Sequence, residues 1–576
     1  LKTGRLSLIL EDGNLRDIQF DGVEMIRAIS FLVRDKNWGT VAPQLTNLNI
    51  KKDNCDLNIS FESVFREDNS QLKVVFGICI KRDFLRFHAA FSASGDFQTN
   101  RAGFNILHPV QLSGSPLEIT DVNGNTFHSS FPRVIDPWQP FKNIRCLTSR
   151  YKERIASCLL LGETFEMEDQ RNWSDASFKT YSRPLEKPWP YTILNGESND
   201  QSIELNFSGP VKSRNAPRKK LLIEIGNPVG IDFPEMALVF RPEESEKVFD
   251  SIDQLIQISP NRITCHFDPE AGHGLPELRL FKLMQDHFPA KYDLEYAVWC
   301  KEDGYVEFER LANQLHKSGL CLNSILVCPG VDRQSTPPGS IWPDCPSLNY
   351  LYEAARLFFP DIELGGGMMS YFTELNRKRP PLEKLDFVVH GTNPIVHAAD
   401  DVSVMQTLSS VPFIISSCRT FIGDKAYRLG LSSIPMRQNP YGSSTFENSS
   451  SRRLCMAHRD PRQFGRFSAA FSAGYGAMIA PHGVKVWTPA GFSAPWGVIG
   501  GNNKLTYNGE VLKKLRLFAG QPINFCTSSN PEQILGLSTR EKIIVINLTK
   551  KILTVNTKPL GNIFLKPYEV QFFGFE

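Results

Sequence analysis

From about residue 256 onward the chain alternates short apolar strands with amphipathic helical segments, and this alternation limits the fold more than any other feature. The strand-like "RITCHF" precedes the helical "LPELRLFKLMQDHF", "LEYAVW" precedes "YVEFERLANQLHKSG", and "SILVCPG" precedes "SLNYLYEAARLFF". "IELGGGM" leads into "YFTELNRKRP", "DFVVHG" into "DDVSVMQTLSS", "FIISSC" reads as another strand, and "VKVWTP" follows the helix-like "DPRQFGRFSAAFSAGYGAM". Strands separated by helical crossovers pair in parallel. Repeated over ~240 residues, the pattern predicts a TIM-type (β/α)8 barrel. Seven strands can be placed; the eighth is expected between residues 420 and 459. A doubly wound open sheet is the alternative, although no G-x-G-x-x-G follows the first strand.

The residues before the barrel read as β. In "LKVVFGICIKRDFLRFHAAFSAS", Leu85, Phe87, Ala89 and Phe91 share one face at period two, and similar runs recur between Gly, Asn and Pro turns. They predict a β-sandwich over residues 1–255, followed by the barrel over 256–503 and a small β domain over 504–576. A net charge of +2 gives no footprint for nucleic acid. No apolar run is long enough to span a membrane, and no signal-peptide pattern opens the chain. The twelve cysteines are scattered, with no C-x-x-C pair, which fits reduced buried thiols and a cytoplasmic protein. Neither a phosphate-cradling loop nor a G-x-S-x-G elbow is present. Oligomeric state is not legible.

Residues just past the strand ends line a barrel's active mouth. That rule gathers His266, Asp268 and Glu270 from "HFDPEAGHG", Glu374 and Asn376 from "YFTELNRKRP", and His390, Asn393, His397, Asp400 and Asp401 from "HGTNPIVHAADD". It adds Arg419, then Arg437, Gln438, Asn439 and Tyr441 from "MRQNPYG", and Trp487 from "VKVWTPAG". Donors, acceptors and an aromatic ring together suit a polyhydroxylated small molecule. Glu374 is the first candidate for proton transfer, in space left by the glycine-rich strand, with Glu270 and Asp268 competing for the role. The structural alternative pairs Glu374 with Arg377 or Arg379. In "FEMEDQRNWSDASFKTY", strand alternation puts Glu166, Glu168, Gln170 and Asn172 on one face, with Arg171 and Trp173 adjacent; this face is either solvated or leans over the barrel mouth. His266, Asp268, Glu374 and His390 fit a metal poorly in type and spacing, so neither metal nor cofactor is expected.

Several stretches together resemble the D-apionolactonases, or D-apionate lactonases, of bacterial apiose catabolism: "RDKNWGTV", "FEMEDQRNWSDASFKTYSRPLEKPWPY", "YFTELNRKRP", "NPIVHAADDVSVMQTL" and "IPMRQNPYG". The resemblance spans nearly the whole chain. It implies an N-terminal β domain, a TIM barrel, a C-terminal β domain, and hydrolysis of a branched sugar lactone to its aldonate; it assigns no catalytic residue. The layout is also similar to retaining glycosidases with a Glu after strand four, but those need a second carboxylate after strand seven, and "VKVWTPAG" supplies none. The alternatives are thus an apiose-directed glycoside hydrolase and a non-catalytic carbohydrate binder.

Overall fold

The computed structural model describes residues 1–36, 38–53, 56–210, 220–336, 340–440, 444–450, 452–558 and 560–574. They form two compact units, Leu1–Arg171 with Ala176–Pro217, and Asn172–Asp175 with Arg218–Glu576.

The first unit is built on a 16-stranded sheet whose pairings are antiparallel. Leu85, Phe87, Ala89 and Phe91 are all buried, as their period-two spacing requires. Phe31, in the strand Val23–Arg34, packs 5.6 Å from Phe76 in Ser70–Ile80, although many strands separate the two along the sheet. The sheet therefore doubles over so that its two arms share one aromatic-rich core.

The second unit holds a closed parallel barrel of eight strands. In chain order they are Glu235–Phe240, Arg262–Phe267, Lys291–Val298, Ser324–Pro329, Glu363–Gly367, Phe387–His390, Ala426–Leu431 and Val486–Gly491. Two differ from expectation. The first, "EMALVF", precedes residue 256, and the run read as a strand, "FIISSC", lies in the helix Val411–Ile422. That helix buries Val411, Ile414, Ile415, Cys418 and Ile422, a 3.6-residue stripe that a short apolar quotation disguises. Arg419 is consequently a helix residue, donating to the carbonyls of Gly423 and Lys425. The hidden strand is "AYRLGL", inside the interval expected for it.

A further seven-stranded sheet joins the strand Leu221–Asp232 to six strands from the C-terminal part of the chain. Its small core contains Ile223, Ile534, Ile543 and Val555.

The triple glycine of barrel strand five makes room for protein rather than for ligand. A Cβ on Gly365 would stand 2.1 Å from the Phe387 ring, and one on Gly366 2.5 Å from the Tyr352 hydroxyl. Gly367 adopts φ +129°, which side-chain-bearing residues rarely do.

Candidate active site

The segments that follow the barrel strands enclose a cavity of about 700 Å³, with Arg241, His266, Trp299, Arg333, Arg437 and Trp496 among its walls. A smaller concavity of about 410 Å³ on the N-terminal sheet is lined by Lys51, Asn58, Arg86 and His88 and, among the described residues, by no carboxylate. Lacking an acid–base pair, it is the weaker candidate.

Behind the His266 wall of the barrel cavity, strand three carries a buried carboxylate. Glu295 is buried and sits in register with His266 of strand two. His266 Nδ1 lies 2.8 Å from Glu295 Oε1, Arg437 Nη1 donates to Oε2 at 3.0 Å, and Arg437 Nη2 donates to Oε1. Burial by itself would raise the Glu295 pKa, but the charge of Arg437 and the bond from His266 hold it at about 2. Burial, and then the charge of Arg437, lower the pKa of His266, so its ring is neutral at pH 7. Arg437 Nη2 also approaches Nδ1 at 2.9 Å, a contact suited to a bare nitrogen. The Glu295 carboxylate can only accept, however, and its bond favours the tautomer with hydrogen on Nδ1. Nε2 is then a basic lone pair on a cavity-lining residue, and among the described residues no hydrogen bond occupies it.

Asp268 and Glu270 share the guanidinium of Arg333. Asp268 is buried and also accepts from Glu270 N at 3.0 Å, capping the turn after strand two. Glu270 lines the cavity at its rim, 3.6 Å from Lys301.

Glu374 lies in the helix Phe372–Arg377, 1% exposed, and is absent from the cavity wall. Oε1 accepts from Ser335 Oγ and from Arg377 Nη1 at 3.4 Å, while Oε2 is buried with no hydrogen-bond partner among the described residues. Burial raises its pKa against the opposing charge of Arg377. The pairing with Arg377 is present, and both side chains are buried.

The same helix grips the tetrapeptide Asn172–Asp175. Thr373 Oγ1 donates to Asn172 O at 2.8 Å and Asn376 Nδ2 to Asn172 Oδ1 at 3.0 Å. His397 Nδ1 meets Asp175 Oδ2 at 2.6 Å, and Ser410 Oγ donates to Ser174 O at 2.7 Å. Trp173 packs edge-on against Tyr371 and His397. Asn172, Trp173, Asn376 and His397 thus converge, but on one another.

The remaining expected site residues have structural partners. Glu166 is 1% exposed and accepts from Tyr181 Oη at 2.6 Å and Leu185 N at 2.8 Å, so the polar strand face is buried instead of solvated. Glu168 pairs with Lys179 at 2.6 Å, and Arg171 is fully buried against Asp169 at 2.6 Å. The strand ends at Asp169, where a tight helical turn begins, so alternation does not carry through Asn172. His390 bonds Gly391 O and Tyr427 Oη, and burial lowers its pKa to about 4. Trp487 stacks on Tyr475 and donates to Ser432 Oγ at 2.9 Å. Asp400 caps the helix Asp401–Gln406. Of the expected substrate-binding residues, Arg437 and Asn439 line the cavity. Tyr441 lies outside the described residues. Among the described residues, no group of three or more His, Cys, Asp or Glu is placed to hold a metal ion.

Residues 1–210 match the model of the D-apionate lactonase N-terminal domain, and residues 236–520 that of the D-apionate lactonase TIM barrel domain. A D-apionate lactonase of Brucella anthropi is 42% identical over 99% of this chain and 96% of its own. The chain belongs to the D-apionate lactonase family. Among solved structures, a glycoside hydrolase family 30 xylanase of Clostridium acetobutylicum is 8% identical, with TM-score 0.35 over 59% of this chain and 87% of its own. A GH36 α-galactosidase of Geobacillus stearothermophilus is 9% identical, with TM-score 0.31 over 94% of this chain and 88% of its own. Likeness at that level carries no argument.

In this lactonase-family barrel, counting all eight strands moves Glu374 to the segment after strand five and "VKVWTPAG" to strand eight. The carboxylate soon after strand four is Asp332, tied to Lys378 at 3.1 Å, and strand seven runs into Ser432 and Ser433. Glu295 was missed because it sits within a strand instead of after one; its signal was a lone carboxylate in the apolar run "LEYAV".

Proposed function

We propose that the barrel cavity opens a sugar lactone, D-apionolactone to D-apionate, with His266 as the base that activates water. The observation supporting this assignment is the basic Nε2 of His266 at the wall of the cavity, backed by ionised Glu295, in a chain 42% identical to a D-apionate lactonase. Glu295 holds the imidazole orientation and stabilises the imidazolium that forms, while Arg437 keeps Glu295 ionised. Nε2 takes a proton as water oxygen attacks the lactone carbonyl. The carbonyl π electrons move to oxygen, and Arg437 and Arg241 are the nearby cations for that oxyanion. On collapse the ring C–O bond breaks, and His266 returns its proton to the departing alkoxide. The product is a hydroxy acid, which ionises at neutral pH. Trp299 and Trp496 supply apolar faces for the carbon skeleton.

The cytoplasm is the compartment we propose, since none of the eleven described cysteines is in a disulfide. Among the described residues, no helix is long and apolar enough to cross a membrane. The test is acid release from D-apionolactone by purified protein, expected well above the spontaneous rate; a rate equal to the buffer blank would refute the function.

A further inference from the structure

Two cysteines far apart in sequence meet beside the cavity. Cys300 Sγ and Cys345 Sγ are 3.8 Å apart, unbonded, and each is partly buried. Cys300 stands between Trp299 and Lys301, and Cys345 lies two residues after Pro343; these three neighbours all line the cavity. The two thiols therefore tie the wall after barrel strand three to the long segment after strand four.

The two sides differ in how firmly they are held. Glu307, fully buried, accepts from Tyr296 Oη at 2.6 Å, Trp299 N at 2.7 Å and Cys300 N at 3.3 Å, which pins the backbone at Cys300. Across residues 340–346, no backbone–backbone hydrogen bond is formed among the described residues, and Ile341 is 95% exposed. Bringing the sulfurs from 3.8 Å to a bond of about 2.05 Å thus requires movement mainly on the Cys345 side.

We propose that Cys300 and Cys345 are a redox-reactive pair that closes to a disulfide and clamps the segment after strand four against the cavity. Cys345 is the attacking thiol: the hydrogen bond from Cys300, with Lys378 nearby, lowers its pKa, while the Cys300 thiol is pushed up by the same bond. With hydrogen peroxide as oxidant, the Cys345 thiolate attacks one peroxide oxygen, the O–O bond breaks, and hydroxide leaves with the electron pair, taking up a proton as water. Cys300 then attacks the Cys345 sulfur of the resulting sulfenic acid. The S–S bond forms, the S–O bond breaks, and the second oxygen leaves as water. Two thiols and one peroxide give one disulfide and two waters, and dithiothreitol reverses the change. Such a reversible pair is compatible with a reducing compartment.

The experiment uses the full chain, reduced, desalted, exposed to hydrogen peroxide and quenched with N-ethylmaleimide. Peptide mapping is expected to find a single linked pair holding Cys300 and Cys345, lighter by two hydrogens and absent after dithiothreitol. Alkylation of both cysteines after oxidation, or a link through other cysteines, overturns the proposal, and this arm is independent of any enzyme activity. Lactone turnover is the second arm and rests on the function proposed above. Oxidation is expected to change KM at least ~3-fold in the wild type, reversibly, and to leave Cys345→Ser unaffected, since cavity residues position substrate. A mapped disulfide with unchanged KM would retain the redox pair and overturn the clamp.

Discussion

Replacing His266 by Gln tests the proposed mechanism most directly. The amide can still reach Glu295, and Glu295 keeps both bonds from Arg437, so the buried charge pair survives. The change in folding stability should stay within ~1.5 kcal/mol, about one hydrogen bond. The basic nitrogen is lost, and general-base roles contribute ~10²–10⁴ in rate, or ~2.7–5.4 kcal/mol of barrier. We therefore expect kcat to fall by at least ~10²-fold with KM little changed. The assay is proton release from the lactone in weak buffer, corrected for spontaneous opening, on protein whose circular dichroism matches the wild type. The pH profile gives a second readout. Because burial and Arg437 lower the His266 pKa from 6.5, the wild-type acid limb should lie below that value, and it should vanish in His266→Gln. Arg437→Gln, which removes the nearby positive charge, should move the limb upward. A His266→Gln enzyme retaining kcat within ~10-fold, or keeping the same acid limb, would refute the assignment of the base.

Three further outcomes follow from the same geometry. Glu374→Gln should leave kcat within ~3-fold, because its carboxyl is buried against Ser335 and Arg377 and does not line the cavity; a ~10²-fold fall in single-turnover rate would return proton transfer to Glu374. Glu295 has a depressed folded-state pKa, so its contribution is complete above 4.5 and is lost as pH falls toward about 2. The shift corresponds to ~3 kcal/mol, and urea unfolding between about pH 5 and 3 should show a wild-type decline that is shallower in Glu295→Gln. Gly366→Ala places a methyl 2.5 Å from the Tyr352 hydroxyl and 2.6 Å from Leu385, and should cost ~1–3 kcal/mol by chemical denaturation; unchanged stability would show that the close packing of strand five can relax.

The parts of the fold legible in the sequence were those with long periodic signals. Thirteen residues in Leu275–His287 and fifteen in Gly304–Ser318 bury regular apolar stripes, and such helices announce the strands between them. Strands of four to six residues carry far less information. "AYRLGL" was obscured by Arg428, whose guanidinium packs inside the barrel near Phe387 and donates to Ser324 Oγ at 2.8 Å. "FIISSC" looked like a strand because its helical period shows only over the full helix. The cavity was legible in part, since His266, Arg437 and Asn439 were gathered from the sequence and line it, and the rest was hidden for a different reason. A barrel-end rule selects residues after strands, but it does not say which face the following turn buries. Glu374, Asn376 and His397 obey the rule and are then consumed by Ser335, Asn172 and Asp175.

What separates structural from reactive charge here is the source of the partners. Strand three projects Asp293 and Glu295 two residues apart, so both side chains face the same way. Asp293 accepts at Oδ1 from Arg262 at 2.8 Å and from Ser324 at 2.6 Å, with Arg428 at 3.8 Å, and each of these partners is a strand residue. Such a network ties strands two, three, four and seven of the barrel together. Glu295 likewise takes one partner, His266, from the adjacent strand, but its cation comes from the segment after strand seven. That network is incomplete on the cavity side, where Nε2 of His266 is unoccupied among the described residues. Two inward carboxylates on one strand therefore differ in what holds them: the first is bonded to strand residues, and the second is joined to a loop that, in the mechanism proposed above, brings substrate and base together.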